Sequence, residues 1–167
     1  MKNIILVLLL LTVSANAAQI FTTDKQKEEL ANAYIENIKD HTKFPVQIDR
    51  ITLLRDITYD FDYKGYKYIV NAIELDLSAI LQSSNKLKTK KEHKKLQNSM
   101  IKKTTPAIIE KTCTSDILVK LMRTGLRIEN WYKWVDIQQN VTNTTTFRIT
   151  VSYETCVENG YIKSEKK

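Results

Sequence analysis

From Thr23 to Lys39 the apolar positions Leu30, Tyr34, Ile35 and Ile38 share one stripe, with Ala31 beside it; Lys27, Glu28, Glu36 and Lys39 fill the remaining faces. That period predicts a helix with one face on a core. Thr23 followed by Gln26 gives it a capping-box start, and Pro45 marks the exit. From Val46 to Leu77 the period drops to two. Ile51, Leu53, Ile57, Tyr59, Phe61 and Tyr63 alternate with polar residues, Arg55 being the polar exception in the series. After a turn at Tyr63-Lys64-Gly65, Tyr66, Tyr68, Val70 and Ala72 hold one parity and Ile69, Ile73, Leu75 and Leu77 the other. This predicts a β-hairpin.

Ser78 to Thr112 is rich in helix formers, but its apolar stripe is interrupted. Ile80, Leu81 and Leu87 form one patch, and Leu96, Met100 and Ile101 another; residues 88–95 hold no apolar side chain. That middle stretch has nothing to pack on a core, so it is expected to project into solvent. Thr105-Pro106 predicts a new helix start, with proline in its first turn. Ser115 to Thr124 predicts a short helix with Ile117, Leu118, Leu121 and Met122 on one face and Gly125 as its C-terminal stop. Two further strands follow, over LRIENWYKWVDIQ and TTTFRITVSYETC, joined by the polar loop Gln139 to Asn143. Phe147, Ile149, Val151 and Tyr153 alternate in the second. The order helix, hairpin, helices, hairpin predicts an α+β fold: an antiparallel sheet of two hairpins packed against an N-terminal helix and central helices.

The first 17 residues have a different character. Lys2 precedes an apolar run from Ile4 to Val13, and Ala15-Asn16-Ala17 offers a small-x-small cleavage site. The run is well short of the roughly 20 residues that span a bilayer. It predicts a secretory signal peptide over 1–17, a single domain over 18–167 and no transmembrane segment after cleavage. The expected destination is outside the cytoplasm: the periplasm in a Gram-negative bacterium, otherwise the exterior. In such a compartment the two cysteines, Cys113 and Cys156, predict one disulfide. Asn140-Val-Thr and Asn143-Thr-Thr match the glycosylation sequon, which matters only in a eukaryotic secretory route.

Charge adds one feature. Eight Lys and one Glu lie between residues 86 and 103, a local excess equal to the chain's net +7. The rest of the chain is therefore close to neutral, and the excess predicts an electrostatic patch on a Lys-rich projecting segment. Lys86, Lys88, Lys90, Lys91, Lys94 and Lys95 are its candidate contacts. Export and the lack of arginine in the run argue against nucleic acid, since Arg is the preferred bidentate phosphate reader. An envelope protein or an anionic envelope surface is the expected partner.

The segment CTSDILVKLMRTGLRIENWY, with the hairpin ending in TVSYETC, resembles a layout of small exported bacterial proteins: Cys, short helix, Gly, two-stranded ribbon, Cys. Helix against meander also resembles the cystatin-like architecture. The resemblance covers the C-terminal third and implies fold and compartment. It brings no catalytic residue, and VDIQQNV lacks the glycine of a cystatin inhibitory loop.

Candidate chemistry is sparse. His41 and His93 have no partner histidine at helical spacing. Asp56, Asp60 and Asp62 alternate with Tyr59 and Phe61, as a strand with one wet face requires. No serine sits in a nucleophile elbow, and the three glycines are too far apart to cradle a phosphate. No metal, cofactor or catalytic residue is expected, which favours a non-catalytic binding or accessory protein. A soluble inhibitor of an exported hydrolase is the alternative, marked by a convex loop with exposed aromatics. A small hydrolase would need an acidic cluster. Trp131, Tyr132 and Trp134 crowd one strand, with Tyr132 and Trp134 on one face and Trp131 on the other; they are candidate aromatic contacts.

Overall fold

The computed structural model describes residues 23–62, 64–76, 90–136 and 141–163. The expected signal peptide, Lys86, Lys88 and Asn140 lie outside them.

Helix α1 spans Asp24–His41. Its capping box is formed: the Gln26 N–H donates to Thr23 Oγ1 at 3.3 Å and the Thr23 N–H to Gln26 Oε1 at 2.8 Å. Leu30, Ala31 and Ile35 are buried, as the stripe predicted. Burial of each large aliphatic side chain stabilises by about 1.5–3 kcal/mol.

Strands β1 (Val46–Gln47), β2 (Thr52–Phe61) and β3 (Lys67–Asp76) follow, paired antiparallel in that order. The β2 parity differs from the expected series. The ladder shifts register between Leu54 and Asp56, and a bulge there sends the extra residue out of phase. Leu54, not Leu53, therefore shares the core face with Ile57 and Tyr59, and Arg55 is exposed. Gly65 takes a φ of +79° in the turn. On β3 the expected parities hold: Ile69, Ile73 and Leu75 join the core cluster, while Val70 is buried on the other face.

Helix α2 runs unbroken over Lys90–Cys113 and contains Pro106. The expected restart at Thr105-Pro106 is corrected: proline sits mid-helix, where it withholds one backbone N–H. The Thr105 hydroxyl turns back to the Ile101 carbonyl at 2.7 Å in the adjoining turn. Helix α3 (Asp116–Arg123) buries Leu121 and Met122, but Ile117 is 52% exposed and off the expected face. Gly125, at φ +89°, donates its N–H to the Met122 carbonyl and ends the helix as expected.

Strands β4 (Leu126–Asp136) and β5 (Val141–Val151) form the second hairpin, antiparallel; Asn143 lies in β5. The β5 strand stops two residues before Tyr153, which instead opens helix α4 (Tyr153–Glu158), capped by Ser152 and Thr155. The expected continuation of the strand to Cys156 is thus corrected: the capping box diverts the chain.

The five strands lie in the order β1-β2-β3-β4-β5. The hairpins are as expected, but β3 and β4 pair parallel, so the sheet is mixed rather than antiparallel throughout. The helical connection between β3 and β4 is the long crossover that parallel neighbours require. One face of the sheet packs on the helices. Cys113, at the end of α2, and Cys156, in α4, form a disulfide with Cα atoms 5.3 Å apart. Both cysteines are buried in the core cluster. The bond joins two helices, not a helix start to a strand end.

Candidate functional site

The basic run is helical from Lys90 onward, so this part does not hang free of the fold. Leu96, Met100 and Ile101 lean on the core from the same helix. Lys94, Lys95, Lys102 and Lys103 are exposed. Among the described residues none of these four enters an ion pair. The side chains of Lys90, Lys91 and His93 lie outside the described residues.

The three aromatics separate by parity. Tyr132 and Trp134 are 6% and 4% exposed in the core cluster. Tyr132 stacks on Phe147, its partner across the β4–β5 ladder, with centroids 4.6 Å apart. These two are core residues, too enclosed to touch a partner. Trp131, on the opposite face, lies half-buried under the Arg148 guanidinium, 4.1 Å from its ring centroid. Its indole N–H is buried without a hydrogen-bond acceptor among the described residues.

The acidic positions are occupied structurally. Asp56 pairs with Lys39 at 2.7 Å. Asp62 accepts from the Lys64 and Tyr66 N–H groups and from the Tyr68 hydroxyl, and so organises the β2–β3 turn. His41 Nδ1 lies 2.7 Å from the Asn37 carbonyl of its own helix. Among the described residues no three His, Cys, Asp or Glu gather in a metal-binding group.

A second site has no signature in the sequence. A cleft of about 250 Å³ opens where β3 and β4 begin. Its walls are Lys27 of α1, Gly65, Tyr66 and Lys67 from the hairpin, Gly125 and Arg127 after α3, and Ser152 and Glu154 at α4. Met122 and Leu126, each 1% exposed, close its floor. Parallel pairing explains the convergence: Lys67 is opposite Leu126 and Tyr68 opposite Arg127, so both strands start at the same edge. The Arg127 guanidinium stacks on Tyr66, 3.5 Å from the ring centroid. Glu154 is held below the ordinary carboxylate range, first by the Ser152 hydroxyl and its own N–H; Arg127 adds its charge, against desolvation. Lys27 and Lys67 share Asp24, at 3.4 and 3.8 Å. These groups come from four distant segments, so no spacing in the sequence announces them; only the glycines at its turns are legible in advance.

No family model matches the chain, and no curated protein matches it. Among solved structures the chain is similar to a Pseudomonas aeruginosa protein provisionally described as secreted. The TM-score is 0.54 at 13% identity, and the match covers 80% of this chain and 95% of that one. At this identity the likeness is one of fold. No helix among the described residues is long and apolar enough to cross a membrane.

Proposed function

We propose that the chain is an exported, non-catalytic binding protein that attaches to an anionic envelope surface through the lysine face of α2. The supporting observation is that Lys94, Lys95, Lys102 and Lys103 are exposed on a helix anchored to the core by Leu96, Met100 and Ile101. Exposed ammonium groups need little desolvation to meet a diffuse anionic layer, and each contributes about 1 kcal/mol near such a surface. Lysine suits this role because it acts as a mobile point charge rather than a fixed fork. The signal-like N-terminus and the buried disulfide agree with an oxidising compartment. The periplasm is the proposed location in a Gram-negative cell, the exterior otherwise. Fractionation tests the reading: the processed protein should sediment with envelope membranes and be released by a high-salt wash. Release by detergent alone would contradict it.

One observation favours a second reading, inhibition of an exported hydrolase. The β2–β3 turn presents Phe61 and Tyr66, 64% and 42% exposed. Inhibition of a hydrolase activity in envelope extract, lost on Phe61→Ala, would support this reading over attachment.

A further inference from the structure

We propose that the cleft between Lys27, Lys67 and Arg127 binds a small molecule bearing a carboxylate or phosphate, with the Arg127 guanidinium as its anchor. This site is separate from the lysine face of α2.

The charges lining the cleft do not cancel. Three cations, Lys27, Lys67 and Arg127, meet one lining carboxylate, Glu154. Asp24, at the rim and 69% exposed, serves both lysines at 3.4 and 3.8 Å, and still leaves one positive charge in excess. The Lys27 and Lys67 side chains are only 21% and 16% exposed, so their stems are fixed against the protein. Little side-chain freedom remains to be lost when an anion arrives. The Arg127 guanidinium lies over the Tyr66 ring and also engages the Tyr68 hydroxyl, so part of its N–H edge remains to donate charge-assisted hydrogen bonds to an oxyanion. Tyr66 itself is 42% exposed and can border a ligand.

Size and polarity narrow the class. At about 250 Å³ the cleft lies just under the ~300 Å³ where small-molecule pockets begin. That suits a short organic acid or phosphate ester better than a polymer. Met122 and Leu126 close the floor of the cleft but, at 1% exposure, present almost no carbon surface, so recognition rests on the charged walls. The anionic end would lie between Arg127 and the two lysines, away from Glu154.

Calorimetric titration of the disulfide-intact protein with inorganic phosphate, glycerol phosphate and succinate tests the proposal and separates the phosphate from the carboxylate source. Saturable one-to-one binding is expected for at least one probe. Arg127→Gln and the pair Lys27→Gln, Lys67→Gln should each weaken it by about tenfold or more, as expected for lost charge-assisted hydrogen bonds. The second variant leaves β4 untouched and keeps the test valid should Arg127→Gln fail to fold. Changing Lys94, Lys95, Lys102 and Lys103 to Gln should leave small-anion binding unchanged, whatever it does to envelope attachment. The proposal is overturned if none of the three probes binds at ~10 mM, well above ordinary small-ligand affinities. It is equally overturned if the cleft variants bind as wild type, or if only the α2 variant loses binding.

Discussion

The Asn71 Nδ2 donates to Asn130 Oδ1 at 3.0 Å, and the two residues are direct partners across the parallel β3–β4 pair. They sit on the helix-covered face, between the apolar partners Ile69–Ile128 and Ile73–Tyr132. Asn130 is only 8% exposed. A two-residue slip would set an amide against an apolar neighbour and leave it unsatisfied. The pair therefore helps fix the register that joins the two hairpins. Asn71→Ala or Asn130→Ala should each cost about 1–3 kcal/mol, the range for a stranded polar group. The double variant should cost less than the sum of the two, by about 1 kcal/mol. Urea unfolding of the four proteins measures this; strict additivity would show that the amides do not act as a pair.

The Cys113–Cys156 bond closes a segment of 43 residues that includes α3, β4 and β5. In the chain-entropy picture such a link stabilises by about 4 kcal/mol. A Cys113→Ala, Cys156→Ala variant should lose about that much in chemical denaturation. Thiol titration of the unreduced, unfolded wild type should find no free sulfhydryl. An equal stability of variant and wild type would show that the core holds these helices without the bond.

Acid and alkali should act through different residues. Desolvation raises the Asp62 pKa, but the Tyr68 hydroxyl, the Tyr66 and Lys64 N–H groups and the Lys64 charge together hold it below its ordinary 3.8. Asp56 is lowered as well, first by its hydrogen bond from Lys39. A depressed folded-state pKa gives stability that is present above the unfolded value and is lost as pH falls through the folded one. Asp62→Asn should thus be less stable than wild type at neutral pH, with the gap closing as pH drops below 3.8. At the other end, burial pushes Tyr132 from 10.0 up to about 12. Its contribution is complete below pH 10.0 and disappears as pH rises through about 12. Thermal unfolding across pH checks both directions.

The strand reading shows which features a sequence can reveal. Alternation on β3 placed Ile69, Ile73 and Leu75 on the core face because period two is a local property. The parity of β2 failed at Arg55, since a bulge is set by its pairing partner and not by hydropathy. Phe147, Ile149 and Val151 extended in phase to Tyr153, which hid α4. The Ser152-x-x-Thr155 spacing was the available signal for a helix start there. Pro106 looked like a boundary because proline usually is one, yet packing on both sides keeps α2 continuous. Parallel pairing of β3 with β4 left no local trace. The cleft built on that pairing was therefore invisible, whereas the lysine excess needed only counting.

Trp131 and Trp134 offer a contrast on one strand. Trp134 fills the core, so Trp134→Ala should cost about 3–5 kcal/mol. Trp131→Phe removes an N–H that has no acceptor among the described residues and keeps a ring beneath Arg148. It should change stability by less than about 1 kcal/mol. Denaturation followed by circular dichroism distinguishes them, and a large loss at Trp131 would mean that its indole N–H has a partner after all.

The central claim is that the lysine face of α2 binds an anionic surface, and co-sedimentation with vesicles tests it most directly. Wild type and a variant with Lys94, Lys95, Lys102 and Lys103 changed to Gln would be mixed with phosphatidylglycerol-containing or neutral vesicles. Surface changes of this kind shift stability by no more than about 0.5 kcal/mol per site, so both proteins should remain folded. Wild type should pellet with anionic vesicles at low salt, less so at physiological salt, where the Debye length is about 8 Å, and release at high salt, where it is about 3 Å. The variant should stay in the supernatant throughout. Equal, salt-insensitive pelleting of the two folded proteins, or no pelleting of wild type at low salt, would contradict the claim.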